Sequence, residues 1–360
     1  RPRADIVLLL KRGQTVIWAA LLSALLPTAA RCQTLPSGVV NAPPTVIGAG
    51  ESIGSDTTLN VFDNGVVGVN FSAGLNDGSS TNVLVNISGG TIGDGFTANG
   101  GSVINVSGGD FGGLSVQSGA TVNILEGGFI NASIDAGAGS TLNLSGGFLD
   151  VASLFSGNGF GLAPDVELNV SSGEIGNQTN PQEFHIAASS VVRVSNGRLG
   201  SNFSIEEGGA LILSGGQFDT GSQVVFNALS GSTVDILGGG IPESGDGTFF
   251  EGIPVGFNSF GAANDSIVNF VGRGFSVGGV PLDLAAGETI EITDRQVALS
   301  GVLTDGSGFT VGLYTENGLS TSGRVEAGAL ITVTRVVPEP GAGLLAAFAI
   351  ASSSVRRRQH

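Results

Sequence analysis

Methionine is missing from these 360 residues, and several chemically active side chains are nearly so. Trp18, Tyr314 and Cys32 each occur once, and His185 and His360 are the two histidines. A single cysteine excludes a disulfide framework and a cysteine-based metal site. Two histidines leave little for imidazole catalysis or zinc. Lysine is reduced to Lys11, and 14 basic residues stand against 30 acidic ones, for a net charge of −16. Five of those bases lie within residues 1–31 and three within 356–358, so between the ends six arginines face nearly thirty carboxylates. So acidic a body repels phosphate backbones and anionic membranes, which excludes nucleic-acid binding.

What is present is glycine, 61 residues of it, set among short Val/Ile/Leu runs with Ser, Thr and Asn between them. This is an all-β, turn-dense composition, and at 41% hydrophobic it is enough to bury a core. The glycines are ordered by a repeat. Val85-Asn86-Ile87-Ser88-Gly89-Gly90, Ile104-Asn105-Val106-Ser107-Gly108-Gly109 and Leu142-Asn143-Leu144-Ser145-Gly146-Gly147 are three copies of one phrase. A fourth, Val122-Asn123-Ile124-Leu125-Glu126-Gly127-Gly128, carries one extra residue, and the Gly-Gly pairs begin at 89, 108, 127 and 146, an interval of 19. A fixed period near 20 is the signature of a solenoid.

Taking the second glycine as an anchor, an apolar residue follows two places on: Ile92, Phe111, Ile130, Leu149, then Ile175, Leu199, Phe218 and Ile241. Before each anchor stands an alternating pair such as Val85/Ile87, Leu168/Val170 or Val234/Ile236, and a third apolar cluster follows, as in Leu114/Val116 and Phe203/Ile205. Alternation of period 2 marks a strand with one buried face. Three short strands in about 19 residues predict one coil of a parallel β-helix. The Gly-Gly pair forms a corner whose φ values resist a Cβ. Asn and Ser stack outside while Val, Ile, Leu and Phe stack inside. Roughly ten coils at ~4.8 Å give a rod about 50 Å long. The anchor interval slips to 26 and 24 and later to 23. The extra residues, in 156–165, 177–181 and around 220–223, protrude from one side of the rod, either as a binding surface or as tolerated drift.

The two ends read as addresses. Residues 1–30 run from Arg1, Arg3, Lys11 and Arg12 through an apolar stretch, 16–26, to Pro27-Thr28-Ala29-Ala30. That is the order of a secretory signal peptide, with cleavage expected after Ala30. At the other end, residues 337–360 hold Pro338-Glu339-Pro340, an apolar stretch over 342–351 and Arg356-Arg357-Arg358. This tail closely resembles the PEP-CTERM sorting signal of Gram-negative bacteria. The resemblance implies an apolar helix that holds the chain transiently in the inner membrane, arginines inside, until an exosortase-type enzyme processes it near the triplet. Residues 31–57 read as an entry segment or N-terminal cap, 58–244 as the repeats and 245–335 as a β-rich C-terminal region. In the last, Ile267-Val268-Asn269-Phe270 suggests one more coil, and 297–306 alternates like a hairpin. This region is also similar to that of secreted solenoid proteins from planctomycete-type bacteria. An open solenoid end must be covered, which is the role expected of 245–335.

Little chemistry is visible. Asp94, Asp110, Glu126, Asp135, Asp150 and Glu174 are scattered about one per coil, not clustered as a pectate-lyase-like calcium site would need. Arg193 and Arg198, with Glu206 and Glu207 a coil later, form the densest charged stretch and read as a surface salt-bridge cluster. The Asn-x-Ser/Thr triplets at Asn70, Asn86, Asn105, Asn143, Asn169 and Asn202 read as by-products of the repeat. The expectation is therefore a non-catalytic, cofactor-free surface or extracellular-matrix protein, structural or adhesive. An extracellular polysaccharide is a candidate partner, and a carbohydrate-active β-helix, lyase or glycoside hydrolase, is the alternative.

Overall fold

The structure, a computed structural model, describes residues 33–130, 133–150, 155–156, 159–176, 183–200, 202–218, 225–240, 259–313 and 325–336. The described residues are all β, with no helix among them, and form a β-solenoid. Twelve strands stack as one parallel ladder on the first face: 38–42, 57–61, 83–87, 102–106, 121–124, 141–144, 167–170, 191–194, 210–213, 233–236, 267–270 and 330–335. Equivalent residues are direct partners. Val85 lies on Ile104, Ile104 on Val122, Val122 on Leu142 and Leu142 on Leu168. Eleven steps of ~4.8 Å make this ladder roughly 50 Å long. Its first rung lies in the stretch read as an entry segment or cap, and its last two lie within 245–335.

The alternation sorts side chains as expected. Val85, Ile87, Ile104, Val106, Val122, Ile124, Leu142 and Leu144 are all buried, and they share one continuous core with Val116 and Ile134 of the third face. Between the inward pairs, the asparagines form a ladder of their own. Asn60 donates its Nδ2 to Oδ1 of Asn41 at 2.9 Å, and the same bond recurs from Asn86, Asn105, Asn123, Asn143 and Asn169 at 2.7–3.0 Å. Each asparagine inside the run is thus donor to one coil and acceptor from the next. The triplets at Asn86, Asn105, Asn143 and Asn169 are part of this ladder. Beside it a column of serines donates to backbone carbonyls of the preceding coil, as Ser107 Oγ does to Ile87 O at 3.3 Å.

Two corner designs turn the chain from the first face to the second. Where Ser-Gly-Gly stands, one strand bends through the corner, and at 88–90, 107–109 and 214–216 the second glycine is left-handed, as at Gly109 with φ 94°. The longer phrase at 125–128 keeps the expected anchor, with Ile130 paired to Leu149, but turns differently. Its left-handed residue is the first glycine, Gly127, and Gly128 N–H closes a turn onto Leu125 O at 2.9 Å. Phe62-Asp63-Asn64-Gly65 makes the same turn, with Asn64 left-handed and Gly65 N–H on Phe62 O at 2.9 Å. The extra residue is absorbed by closing a four-residue turn in place of a bulged strand. Gly147 is not left-handed at all. Its constraint is contact, since a Cβ there would sit 2.2 Å from Gly128 O.

The corner from the third face back to the first is a second hydrogen-bonded column. In most of these turns the fourth residue's N–H donates to the first residue's carbonyl, as from Ala120 to Gln117 and from Ser232 to Leu229, whereas Val166 N–H donates to Ser190 Oγ. In most the third residue is left-handed, as in Gly119 (φ 76°) and Asp265 (φ 64°), the pattern of a type II turn. The turns also bond to each other. From Gly101 N–H onto Gly119 O up to Asp265 N–H onto Gly328 O, successive turns are linked at 2.9–3.2 Å.

Beyond Phe270 antiparallel strands join the parallel stack. Strand 267–277 continues the ladder with its first half and pairs antiparallel with 298–303 through its second. Residues 298–303 and 308–312 form the hairpin anticipated around Asp305-Gly306. Strand 330–335 stacks in parallel on 267–272, and its far edge is taken by 289–291, running antiparallel. Phe309 of the hairpin stacks on Phe270 at 4.8 Å and meets Phe275 edge-on at 6.2 Å. Phe270, Phe275 and Phe309 thus form an aromatic cluster within the core.

Two substitutions test this packing. Asn123→Ala removes two ladder bonds in mid-column and is expected to cost about 1–3 kcal/mol in urea unfolding, more than Asn41→Ala at the column's end. Ser140 Oγ is buried without a partner, while Ala120 fills the equivalent place one coil earlier. Ser140→Ala should therefore be neutral or stabilising by up to about 1 kcal/mol, whereas Ser232→Ala, which loses a 2.6 Å bond to Leu229 O, should destabilise.

Candidate functional site

The side chains that could carry specificity lie on the later coils, where the repeat is least regular. The described chain leaves the second face at 150, 176, 218 and 240 and re-enters the third at 159, 183, 225 and 259, always at the same corner. In the earlier coils the same corner is short, with Gly112 alone between Phe111 and Gly113. Most of the segments expected to protrude, 177–181 and 220–223 and parts of 156–165, lie outside the described residues.

The expected charged cluster is not one site. Arg193, on the first face, meets Glu167 of the coil before at 2.6 Å. Arg198, past the corner on the second face, lies 4.0 Å from Glu174 of the coil before. Glu206 begins a turn between the third and first faces and contacts His185 Nδ1 at 3.2 Å. Five residues of chain separate Arg193 from Arg198, but the corner between them points them off different faces. Stacking then couples each charge to the coil before it rather than to its sequence neighbours. These pairs are half-exposed, the class of ion pair that contributes little.

A shallow groove of about 570 Å³ opens on the corner between the first and second faces, lined by Ser172, Gly173, Asn196, Gly197, Arg198, Gly216 and Asp305. Its floor is three stacked corner glycines, and Asp305 reaches it from far along the chain. The tip of the hairpin docks against Leu237 and Gly239. Thr304 donates its N–H and its hydroxyl to Leu237 O at 2.7 and 2.5 Å. Gly239 N–H donates to Asp305 Oδ2 at 2.6 Å, while Oδ1 accepts from Ser307 N–H at 2.9 Å and from Ser307 Oγ at 2.5 Å. Gly238 makes the approach possible, because a Cβ there would lie 2.7 Å from Asp305 Oδ2. Burial works against the Asp305 charge, but the Ser307 hydroxyl and the Gly239 and Ser307 amides outweigh it and hold the carboxyl below its ordinary 3.8. Asp77 is lowered similarly, by the hydroxyl and amide of Ser79 in an exposed turn.

Of the groove residues, Arg198 was legible as part of a charged stretch. Asp305 was not, since 66 residues separate it from Gly239. Ser172 and Asn196 were signalled only by the decay of Gly-Gly to Ser-Gly and Asn-Gly. The sorting and cleavage residues Ala30, Pro338, Glu339, Pro340, Arg356, Arg357 and Arg358 lie outside the described residues. Among the described residues no group of three or more His, Cys, Asp or Glu is placed to hold a metal, and no helix is long and apolar enough to cross a membrane. Comparison with protein families, with curated proteins and with solved structures found no match.

The Asp305 carboxylate gives the structure a defined acid response. A carboxyl whose folded value is depressed contributes stability in full above its unfolded value, and that contribution is lost as pH falls through the folded value. Asp305→Ala should therefore destabilise the protein at about pH 7 and by clearly less at about pH 3, because the wild type has by then lost part of the same interaction. Urea unfolding of both proteins at the two pH values reads this difference, in which Asp77 cancels. Equal destabilisation at both would contradict the assignment.

Proposed function

We propose that the chain is a non-catalytic, exported rod of the cell surface or extracellular matrix, structural or adhesive in role. The observation that carries this reading is the asparagine ladder. Along much of the first face the outward polar side chains are bonded to one another from coil to coil, in the manner of a scaffold. The antiparallel strands at 289–291 and 298–312 fit a cap, because the first occupies the ladder's last edge and the second stacks Phe309 on Phe270. An acidic, lysine-poor surface suits a rod that stays soluble and apart from anionic membranes.

In this proposal the segment ending at Ala30 directs export, and the tail beginning at Pro338-Glu339-Pro340 is the substrate of an exosortase-type enzyme. The apolar stretch and Arg356-Arg357-Arg358 hold the chain in the inner membrane until processing. Fractionation of cells expressing the full chain tests the placement. The body should be recovered from the envelope or the medium, and replacing Pro338-Glu339-Pro340 by alanines should make it accumulate with the inner membrane. Full-length chain confined to the cytosol in both cases would refute it.

A further inference from the structure

The bulged-strand form of the corner beneath the groove follows a steric rule that the chain breaks in two adjacent coils. The first residue of each corner pair is packed against the coil before it. A Cβ would lie 2.1 Å from Asp63 Oδ1 at Gly89, 2.6 Å from Ser88 O at Gly108, 2.1 Å from Ser195 O at Gly215 and 2.4 Å from Ser214 O at Gly238. Glycine is the answer at all four. Ser172 and Asn196 occupy the same column in consecutive coils, and both line the groove. Local rules are broken mainly where function asks for it. The hairpin tip raises a wall beside these two residues, and Arg198 stands on the second-face side.

We propose that this groove is a binding subsite for a neutral polyhydroxylated ligand, a sugar residue of an uncharged glycan. The lining decides the class. It contains no apolar side chain, only glycine backbone, a hydroxyl, an amide, a guanidinium and a carboxylate. That set offers donors and acceptors together, as vicinal hydroxyls require, and a glycine floor leaves room for a ring above it. Acidic sugars are disfavoured. Against one arginine stand Asp305, in the lining, and Glu174, 4.0 Å from Arg198. Among the described residues Asp305 Oδ2 accepts one hydrogen bond, from Gly239, and a carboxylate oxygen has room for a second. The inference concerns the groove alone and goes beyond the reading of the chain as a scaffold.

Restoring the rule is the test. Ser172→Gly combined with Asn196→Gly returns the corner to the Gly-Gly form of the other coils, so the rod should fold with an unchanged thermal midpoint. Arg198→Gln removes the charge and keeps a donor. Calorimetric titration of the full chain with neutral glucose, mannose, galactose and xylose oligosaccharides should show saturable binding to at least one. That binding should weaken about tenfold or more in the double glycine variant and measurably in Arg198→Gln. A galacturonate oligosaccharide should bind more weakly than the neutral probe. Absence of saturable binding to every neutral probe, a preference for galacturonate, or binding that survives the glycine variant would each overturn the proposal.

Discussion

Parallel, in-register pairing of each coil with copies of itself is the constraint on which the rest of this structure depends. Because position stacks on position, every side chain is repeated along the rod, and its value is set by how it meets its own kind. Asparagine suits this well, since one amide is both donor and acceptor along the column. Inside, Val, Ile and Leu form unbroken aliphatic columns. At the corners the same logic demands glycine, because backbone from the neighbouring coil occupies the space a Cβ would need. The turns satisfy their central amides by stacking as well.

Such a stack is self-templating, so its end is its liability. At the C-terminal side the chain changes direction. Antiparallel pairing runs along 272–277 and 289–291, and Phe309 stacks on Phe270. At the corner the carboxylate of Asp305, on the hairpin tip, takes the Gly239 amide. One consequence is the groove, since the tip gives a wall to a corner that elsewhere has none.

Most of the fold could be read from the chain because the repeat writes each buried position many times. The alternating pairs and the extra coil at Ile267–Phe270 were visible, and both are found. At 125–128 the anchor holds, since Ile130 pairs with Leu149, but which glycine is left-handed was not visible, because only the closing bond from Gly128 to Leu125 separates Gly127 from Gly128. The charged stretch failed for a different reason. Neighbours such as Arg193 and Arg198 flank a corner, and contacts in a solenoid run between coils. The docking of Asp305 on Gly239 could not be seen, because it joins a hairpin to a coil some 66 residues earlier and no repeat announces it.

Spin-label distances along one outward column of the first face test the stacking most directly. Thr58, Thr141 and Thr233 occupy that column, with Thr141 four rungs above Thr58 and Thr233 four rungs above Thr141. With Cys32 replaced by serine and labels placed pairwise, backbone separations of roughly 19 Å for Thr58–Thr141 and 38 Å for Thr58–Thr233 are expected at ~4.8 Å per rung. Distances that double as the rungs double would establish the parallel stack, and distances that fail to scale with the rung count would contradict it.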